Sequence, residues 1–358
     1  MVADTAHPSS AVEGLRPLSL ARDLGQVLEL IQVAFGENLD AESRHALQSM
    51  QLPTLLAPFV ALLDSFNPPG EGFMPGFVWT HGEQVIGTAS ARRIYPFRRG
   101  WLISNVAVHP NWQGRGIGRA LLRAAVDLAK RHDGAWIALQ VREDNRAAHA
   151  LYKSLGFQNV ERVARRRHAP VAPFDKPPWP SPALRLRARA SEGKREQVRA
   201  GSLPDAVQAG LRPAGWTEGN ALYRLARTMM PHDVLWADLL RRSLYQTGPW
   251  NQFIDRLHRR CRQWWVQDMP GRTLEAAVGI EIESRNPWHR LRLLISPQAQ
   301  SQALASNMMR FALHQLAYAA PLPVEIEHLV SDSATQSALT EAGFEPLYTL
   351  IHMRLDLE

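Results

Sequence analysis

Two stretches of this chain lie over one another at a constant offset. Pro110 pairs with Pro297 and Gly156 with Gly343, and 297 − 110 = 343 − 156 = 187. No gap is needed between these anchors. The elements between them follow one order: an apolar strand, a helical run, a second apolar strand ("WIALQVRE" answered by "PVEIEHLV") and a second helical run. Unrelated runs rarely keep register that long, so the chain reads as an internal duplication of one α/β unit. A length of 358 residues also exceeds what one core usually holds. The stretch "PVAPFDKPPWPSP", residues 170–182, carries six prolines and can be neither helix interior nor central strand. The expected organisation is a disordered lead at 1–13, a first domain at 14–169, a linker at 170–182 and a second domain at 183–358.

The first domain alternates its elements. "LRPLSL" reads as a short strand and "ARDLGQVLELIQVAF" as an amphipathic helix. Residues 41–66 look helical but are broken at Pro53 and Pro58. "GFVWTHGEQVIGTASARRI" reads as two strands about His81-Gly82. The buried strand "WLISNVAV" then leads to a helix with Leu121, Leu122, Ala125, Leu128 and Ala129 on one face. "AWIALQV" is a further buried strand. A helix follows that opens at Asn145 and stops at Gly156, and "FQNVERVARRRH" is the closing strand. The fold class expected is α/β (α+β).

Composition excludes some classes of protein. No apolar run reaches 18 residues, so no transmembrane helix is expected. The first residues lack the basic and apolar regions of a secretory signal. The lone Cys261 cannot form an internal disulfide, and a cytoplasmic protein is expected. No His or Cys cluster has zinc spacing, so no metal is expected. A net charge of +7 would suit a polyanion, and "RVARRRH" is the basic run in which a nucleic-acid contact would be sought. No stacking motif or DNA-reading module accompanies it, so nucleic acid ranks last among the expected partners.

Between the strand ending in Val108 and the helix beginning near Gly118 stands "NWQGRGIG". Glycines there allow positive φ and close approach, and a helix start offers free N–H groups and a favourable dipole, so an anion is the expected ligand. The dinucleotide fingerprint fails because Arg119 stands where its last glycine belongs, and no Gly-Lys-Ser/Thr is present for a P-loop.

What stands is Gln113-Gly114-Arg115-Gly116-Ile117-Gly118. With "SNVAVHP" before it and "IALQV" and "EDNRAAHALYKSLGF" after it, the segment resembles the acyl-CoA pyrophosphate loop of the GNAT N-acetyltransferases. The likeness covers most of residues 14–168. It implies two tandem GNAT-like folds, each a mixed, mostly antiparallel twisted sheet flanked by helices, with acetyl-CoA as co-substrate. It further implies that backbone groups of Val106, Ala107 and Val108 bond the pantetheine arm, lying where the fourth strand splays from the fifth. The N–H groups from Gln113 through Gly114, Arg115, Gly116, Ile117 and Gly118 to Arg119 would hold the pyrophosphate. Asn145 would bond the arm, and Tyr152 would reach the thioester sulfur as general acid.

The base stays open. Many family members carry a carboxylate near the position of Asn105, which cannot accept a proton usefully. A water chain, His109, a carboxylate from another strand and bulk solvent remain. The resemblance implies direct attack by an amine in a ternary complex, the acceptor being a small-molecule or peptide amine. The acceptor is expected where the two halves face each other, near Trp79, Arg92 and Tyr95. A protein that binds acyl-CoA for regulation, without transfer, is the alternative function.

The second copy lacks this equipment. At the same offset Gly114, Gly116 and Gly118 become Ser301, Ala303 and Ala305, Gln113 becomes Gln300, Asn145 becomes Asp332, and Tyr152 becomes Leu339. One working site, in the first half, is expected. Trp264 and Trp265 are expected in the core of the second half, and Trp250 with them.

Overall fold

The computed structural model describes residues 14–35, 75–94, 99–172, 210–230, 242–257, 259–268, 274–284 and 286–357. The lead, the 41–66 stretch, Tyr95 and most of the proline-rich linker lie outside the described residues. Two compact units emerge: 1–141 with 146–159 and 353–358, and 142–145 with 160–352.

In unit 1 the described strands β1 (Gly14–Pro17), β2 (Gly76–His81), β3 (Gln84–Arg93), β4 (Gly100–Val108) and β5 (Trp136–Arg142) stand in that order in the sheet. All pairs are antiparallel except β4 with β5, which is parallel. The turn between β2 and β3 is Gly82–Glu83, one residue later than the sequence suggests, because Gly82 takes φ 61° and His81 still pairs with Gln84. β3 is buried without a break from Val85 to Ala91, as a strand covered on both faces must be.

One cover is α1 (Leu20–Phe35), which packs Val27, Leu28, Leu30 and Ile31 against Val78, Val85 and Ala107. Its first turn is tied to β1 by Asp23, fully buried, whose carboxylate takes the Arg16 fork (2.7 and 2.8 Å) and the Ser19 N–H (2.9 Å). Burial pushes that carboxyl pKa up, but the Arg16 and Ser19 bonds outweigh it and hold it below the ordinary value. Another helix, α2 (Ile117–Arg131), buries the five expected residues and Ile117 besides. Gly87 lets it approach the sheet, since a Cβ there would meet Ile117 Cγ2 at 2.9 Å and Leu121 Cδ1 at 3.0 Å. The fully buried Leu121 and Leu122 each contribute ~1.5–3 kcal/mol by burial. α3 (Arg146–Ser154) ends at Gly156, φ 94°.

Unit 2 holds most of β6 (Gln158–His168), then β7 (Leu211–Pro213), β8 (Arg260–Asp268), β9 (Leu274–Glu283), β10 (His289–Ile295), β11 (Val324–Leu329) and most of β12 (Glu345–Asp356). Their order is β12–β6–β11–β10–β9–β8–β7, and β10 with β11 is its parallel pair. Its described helices are α4 (Gly219–Met229), α5 (Pro249–Leu257), α6 (Gln302–Leu316) and α7 (Ser333–Glu341). The sequence reading closes the first half with β6. In the structure β6 pairs antiparallel with β11, from Val163↔Leu329 to His168↔Val324, and residues from Val160 onward belong to unit 2. The charges match along this pairing: Arg165 Nε donates to Glu327 Oε1 at 2.9 Å and Arg167 Nε to Glu325 Oε1 at 3.0 Å. The core gathers Trp265, Ile280, Leu291, Met308, Met309, Phe311 and Leu339 between sheet and helices. Trp264 is buried as expected, whereas Trp250 is exposed because it points outward from α5.

Candidate functional site

The site is built where β4 and β5 part. Their parallel pairing runs from Gly100↔Trp136 to Leu102↔Ala138 and stops. Beyond it, β4 continues to Val108 and β5 to Arg142 as diverging strands. On its other edge β4 carries a bulge: the register slips between Thr88↔Ala107 and Ser90↔Ser104. Asn105 sits at the slip with φ 53°, a left-handed conformation that asparagine tolerates better than most residues. This is the physical reason for an amide at that place, and it was legible only as a missing carboxylate. Ala107 is buried, while Val106 and Val108 are half-buried along the free edge.

After Val108 the chain turns through a short 3₁₀ segment, Pro110–Trp112, capped by His109, whose Nδ1 accepts the Asn111 N–H at 3.3 Å. His109 therefore works as a turn cap, which argues against its use as a base. Gln113 is a brace: its Nε2 donates to the Val108 carbonyl at 3.1 Å, and its own N–H donates to Pro110 O at 3.3 Å. Gly114 and Gly116 follow at φ 74° and 82°. From Gly114 to Arg119 no backbone N–H has a partner among the described residues, and the N-cap Gly116 brings no side-chain bond to α2. Unpaired donors at a helix start, under a positive dipole end, are an anion site. A Cβ at Gly114 or Gly116 would meet nothing within 4 Å, so the turn faces open space. The Arg115 guanidinium lies 4.6 Å from the Trp112 ring, and Arg119 is half-buried on the first turn of α2.

At Gly118 a Cβ would stand 3.3 Å from Leu151 Cδ2, which brings the start of α2 against α3. Tyr152, next along α3, is 5% exposed and faces Phe157, ring centroids 6.1 Å apart. Its hydroxyl has no hydrogen bond to a described residue, and burial pushes its pKa up to about 12. It therefore stays protonated across the neutral range. Asn145 immediately precedes α3 and is exposed; its N–H donates to Arg142 O at 3.0 Å. Of the residues expected near an acceptor, Trp79 is half-buried and Arg92 exposed.

The free stretches of the two strands, Ile103–Val108 and Leu139–Arg142, hold no carboxylate; their exposed side chains are the amides Asn105 and Gln140. Nor is the basic run at β6 an open cationic surface. Arg165 and Arg167 are paired as above, and Arg166 Nη1 donates to Thr340 Oγ1 at 3.0 Å. Among the described residues no group of three or more His, Cys, Asp or Glu is placed to hold a metal, and no helix is long and apolar enough to cross a membrane.

Splayed parallel strands, a bulge on the fourth and an N–H-lined glycine turn together define an acyl-CoA N-acyltransferase fold. Residues 38–157 match the model of the acetyltransferase (GNAT) family. Among curated relatives, the N-alpha-acetyltransferase RimI of Mycobacterium tuberculosis is 42% identical over 97 residues, 26% of this chain and 57% of that protein. The [ribosomal protein bS18]-alanine N-acetyltransferase of Escherichia coli K12 is 46% identical over 67 residues, 19% of this chain and 44% of that protein. The chain thus spans about half the length of the curated relatives it matches. Over the whole chain the fold is that of a tandem GNAT protein from the clavulanic acid biosynthesis pathway, with TM-score 0.54, 17% identity, and 96% and 98% of the two chains covered. A GCN5-related N-acetyltransferase of Sphaerobacter thermophilus gives TM-score 0.55, 12% identity, and 96% and 95% covered.

Proposed function

We propose that unit 1 is an acetyl-CoA-dependent N-acetyltransferase acting on the α-amine of a peptide or protein. The observation that carries this is the row of unpaired N–H groups from Gly114 to Arg119 beside the opened edge of β4. In this reading those groups hold the pyrophosphate, and the edge at Val106–Val108 with Asn145 holds the pantetheine arm. The amine nitrogen attacks the acetyl carbonyl carbon, the C–S bond breaks, the leaving sulfur takes the Tyr152 proton, and the proton shed by the nitrogen goes to solvent, which returns one to the phenolate. A phenol held near pKa 12 is a weak acid toward a free thiolate of pKa about 8.5, so transfer becomes favourable only as the sulfur too is shut away from water.

The base follows from what the splayed strands lack. With no carboxylate there, the amine must arrive neutral. At pH 7.5 roughly a third of an α-amine is neutral, against about one lysine in a thousand. A site with solvent as its base therefore favours α-amines, which agrees with the activities for which the relatives are named.

CoA release by the full-length protein tests this, with an alanine-initiated peptide, an N-blocked lysine peptide and a polyamine as acceptors. The α-amine should lead the lysine by about 100-fold at pH 7.5. Tyr152→Phe should lower kcat by about 10²–10⁴ with acetyl-CoA affinity unchanged. Because Tyr152 is held near 12, the wild-type rate should rise through the pKa of the amine and stay level to pH 10. A fall above pH 9 would place the acid in the ordinary tyrosine range and sink the assignment. Binding of acetyl-CoA without release to any amine would instead favour a regulatory acyl-CoA-binding protein, for which the missing carboxylate is the supporting observation.

A further inference from the structure

Unit 2 keeps one of the three devices that make the first site and loses two. Its parallel pair β10–β11 stops after Leu291↔Ile326, so these strands also part. The register of β10 with β9 runs unbroken from Arg290↔Glu281 to Ile295↔Ala276, so β10 has no counterpart of the Asn105 bulge. The start of α6 is closed by its own N-cap, Ser301, whose Oγ accepts the Leu304 N–H at 3.3 Å. One of the donors that would face a pyrophosphate is therefore taken, and Ala303 and Ala305 stand where the first copy has glycines.

The parted strands nevertheless leave a cavity of about 820 Å³ within unit 2. That is the size of a small-molecule site. Its apolar walls include Met229, Leu293, Leu294 and Leu329. Its charges are unequal. Glu327 is bonded to Arg165, and Asp332 Oδ1 accepts the Thr335 N–H at 2.9 Å. Arg224 and Arg227, three apart on one face of α4, line the cavity, are exposed, and have no ion-pair partner among the described residues. Deeper in, Arg292 is 8% exposed; its Nη1 donates to Glu281 Oε2 at 2.7 Å and its Nε–H has no partner. A buried guanidinium N–H left unpaired beside a cavity is costly unless something accepts from it.

We infer that the β10–β11 cleft of unit 2 is a second ligand site, taking a small organic carboxylate with an apolar body. The carboxylate meets the arginines of α4 and the body fills the Met/Leu wall. Fork-shaped guanidinium donors suit a carboxylate, and the volume leaves room for a chain or ring behind it. The site is separate from acetyl-CoA binding in unit 1, and its occupant need not be a reactant.

Calorimetric titration of the full-length protein tests this in saturating acetyl-CoA, with octanoate and 3-phenylpropionate as probes of an aliphatic and an aromatic body and octanamide as the neutral control. At least one acid should bind at one equivalent per chain with Kd below ~1 mM. Octanamide should bind at least 10-fold more weakly. Arg224→Gln with Arg227→Gln, both at exposed positions, should weaken the acid at least 10-fold and leave acetyl-CoA affinity unchanged. The inference is overturned if neither acid binds, if octanamide binds equally, or if the double substitution has no effect. It is overturned equally if a second acetyl-CoA binds and is lost in the double variant. Failure of acetyl-CoA to bind at all would count against the function of unit 1 and leave the acid titration readable.

Discussion

The helices α2 and α6 occupy corresponding places in the two copies and begin in opposite ways. α2 starts at Gly116, φ 82°, with no side chain closing its first turn. α6 starts at Ser301, φ −148° and ψ 148°, with the hydroxyl on Leu304 N–H. One helix leaves its donors for a ligand, and the other satisfies one of them internally. The strand before each helix differs in the same sense. At the offset of 187, Asn105 corresponds to Arg292. Asn105 takes φ 53° at the bulge, while Arg292 sits in regular pairing and binds Glu281. The duplicated scaffold is kept in both copies, and what sets the first apart amounts to a few backbone conformations laid over it.

The largest expected effect tests the second half of that statement. Arg292→Asn, which puts the residue of unit 1 into unit 2, leaves Glu281 buried without its partner and should cost ~3–5 kcal/mol. Urea unfolding of the full-length protein reads this as the loss of the transition of unit 2 at lower denaturant. Burial pushes the Glu281 pKa up, but the Arg292 charge and hydrogen bond outweigh it and hold it below the ordinary value. The wild-type contribution is therefore fully present above pH 4.5 and is lost as pH falls through the lowered pKa. In the variant that acid dependence should shrink or reverse. A cost under 1 kcal/mol would mean that Arg292 is not the anchor of its strand.

Next in size is the glycine turn. Gly116→Val forces a branched side chain into the left-handed region, at roughly 1–2 kcal/mol of stability. Since a Cβ at Gly116 meets no protein atom within 4 Å, the larger loss should fall on the ligand, with acetyl-CoA affinity down ~100-fold or more. A change under threefold in calorimetry would move the pyrophosphate elsewhere.

These differences also show what the sequence could reveal. The helix faces, the buried strands and the duplication were legible because side-chain periodicity reports directly on burial. So was the glycine turn, since alternating glycines are costly in a helix start that has no use for them. The Asn105 bulge was not, because a slip of one residue in strand pairing leaves no periodic mark; the asparagine read only as a missing base. The place of β6 was hidden for a different reason. Its pairing with β11 bridges residues about 160 apart, and the matching of Arg165 and Arg167 to Glu327 and Glu325 becomes evident only once the register is fixed. The cavity of unit 2 was missed because lost glycines were read as a lost site. They remove the phosphate turn alone, and the parting of the strands does not depend on them.

The smallest effect bears on that last point. Ser301→Ala removes the one side-chain acceptor at the start of α6 and should cost about 1 kcal/mol, whereas Ser301→Gly should cost a few tenths. If the cap were all that separates the two copies, opening it would create a second anion turn. It should not, because Ala303 and Ala305 remain where glycines stand in the first copy, and β10 has no bulge like that at Asn105. Acetyl-CoA stoichiometry in Ser301→Gly should therefore equal that of the unaltered protein. A gain of a further equivalent would show that a hydroxyl cap alone stood between the copies, and that the bulge at Asn105 is dispensable for binding.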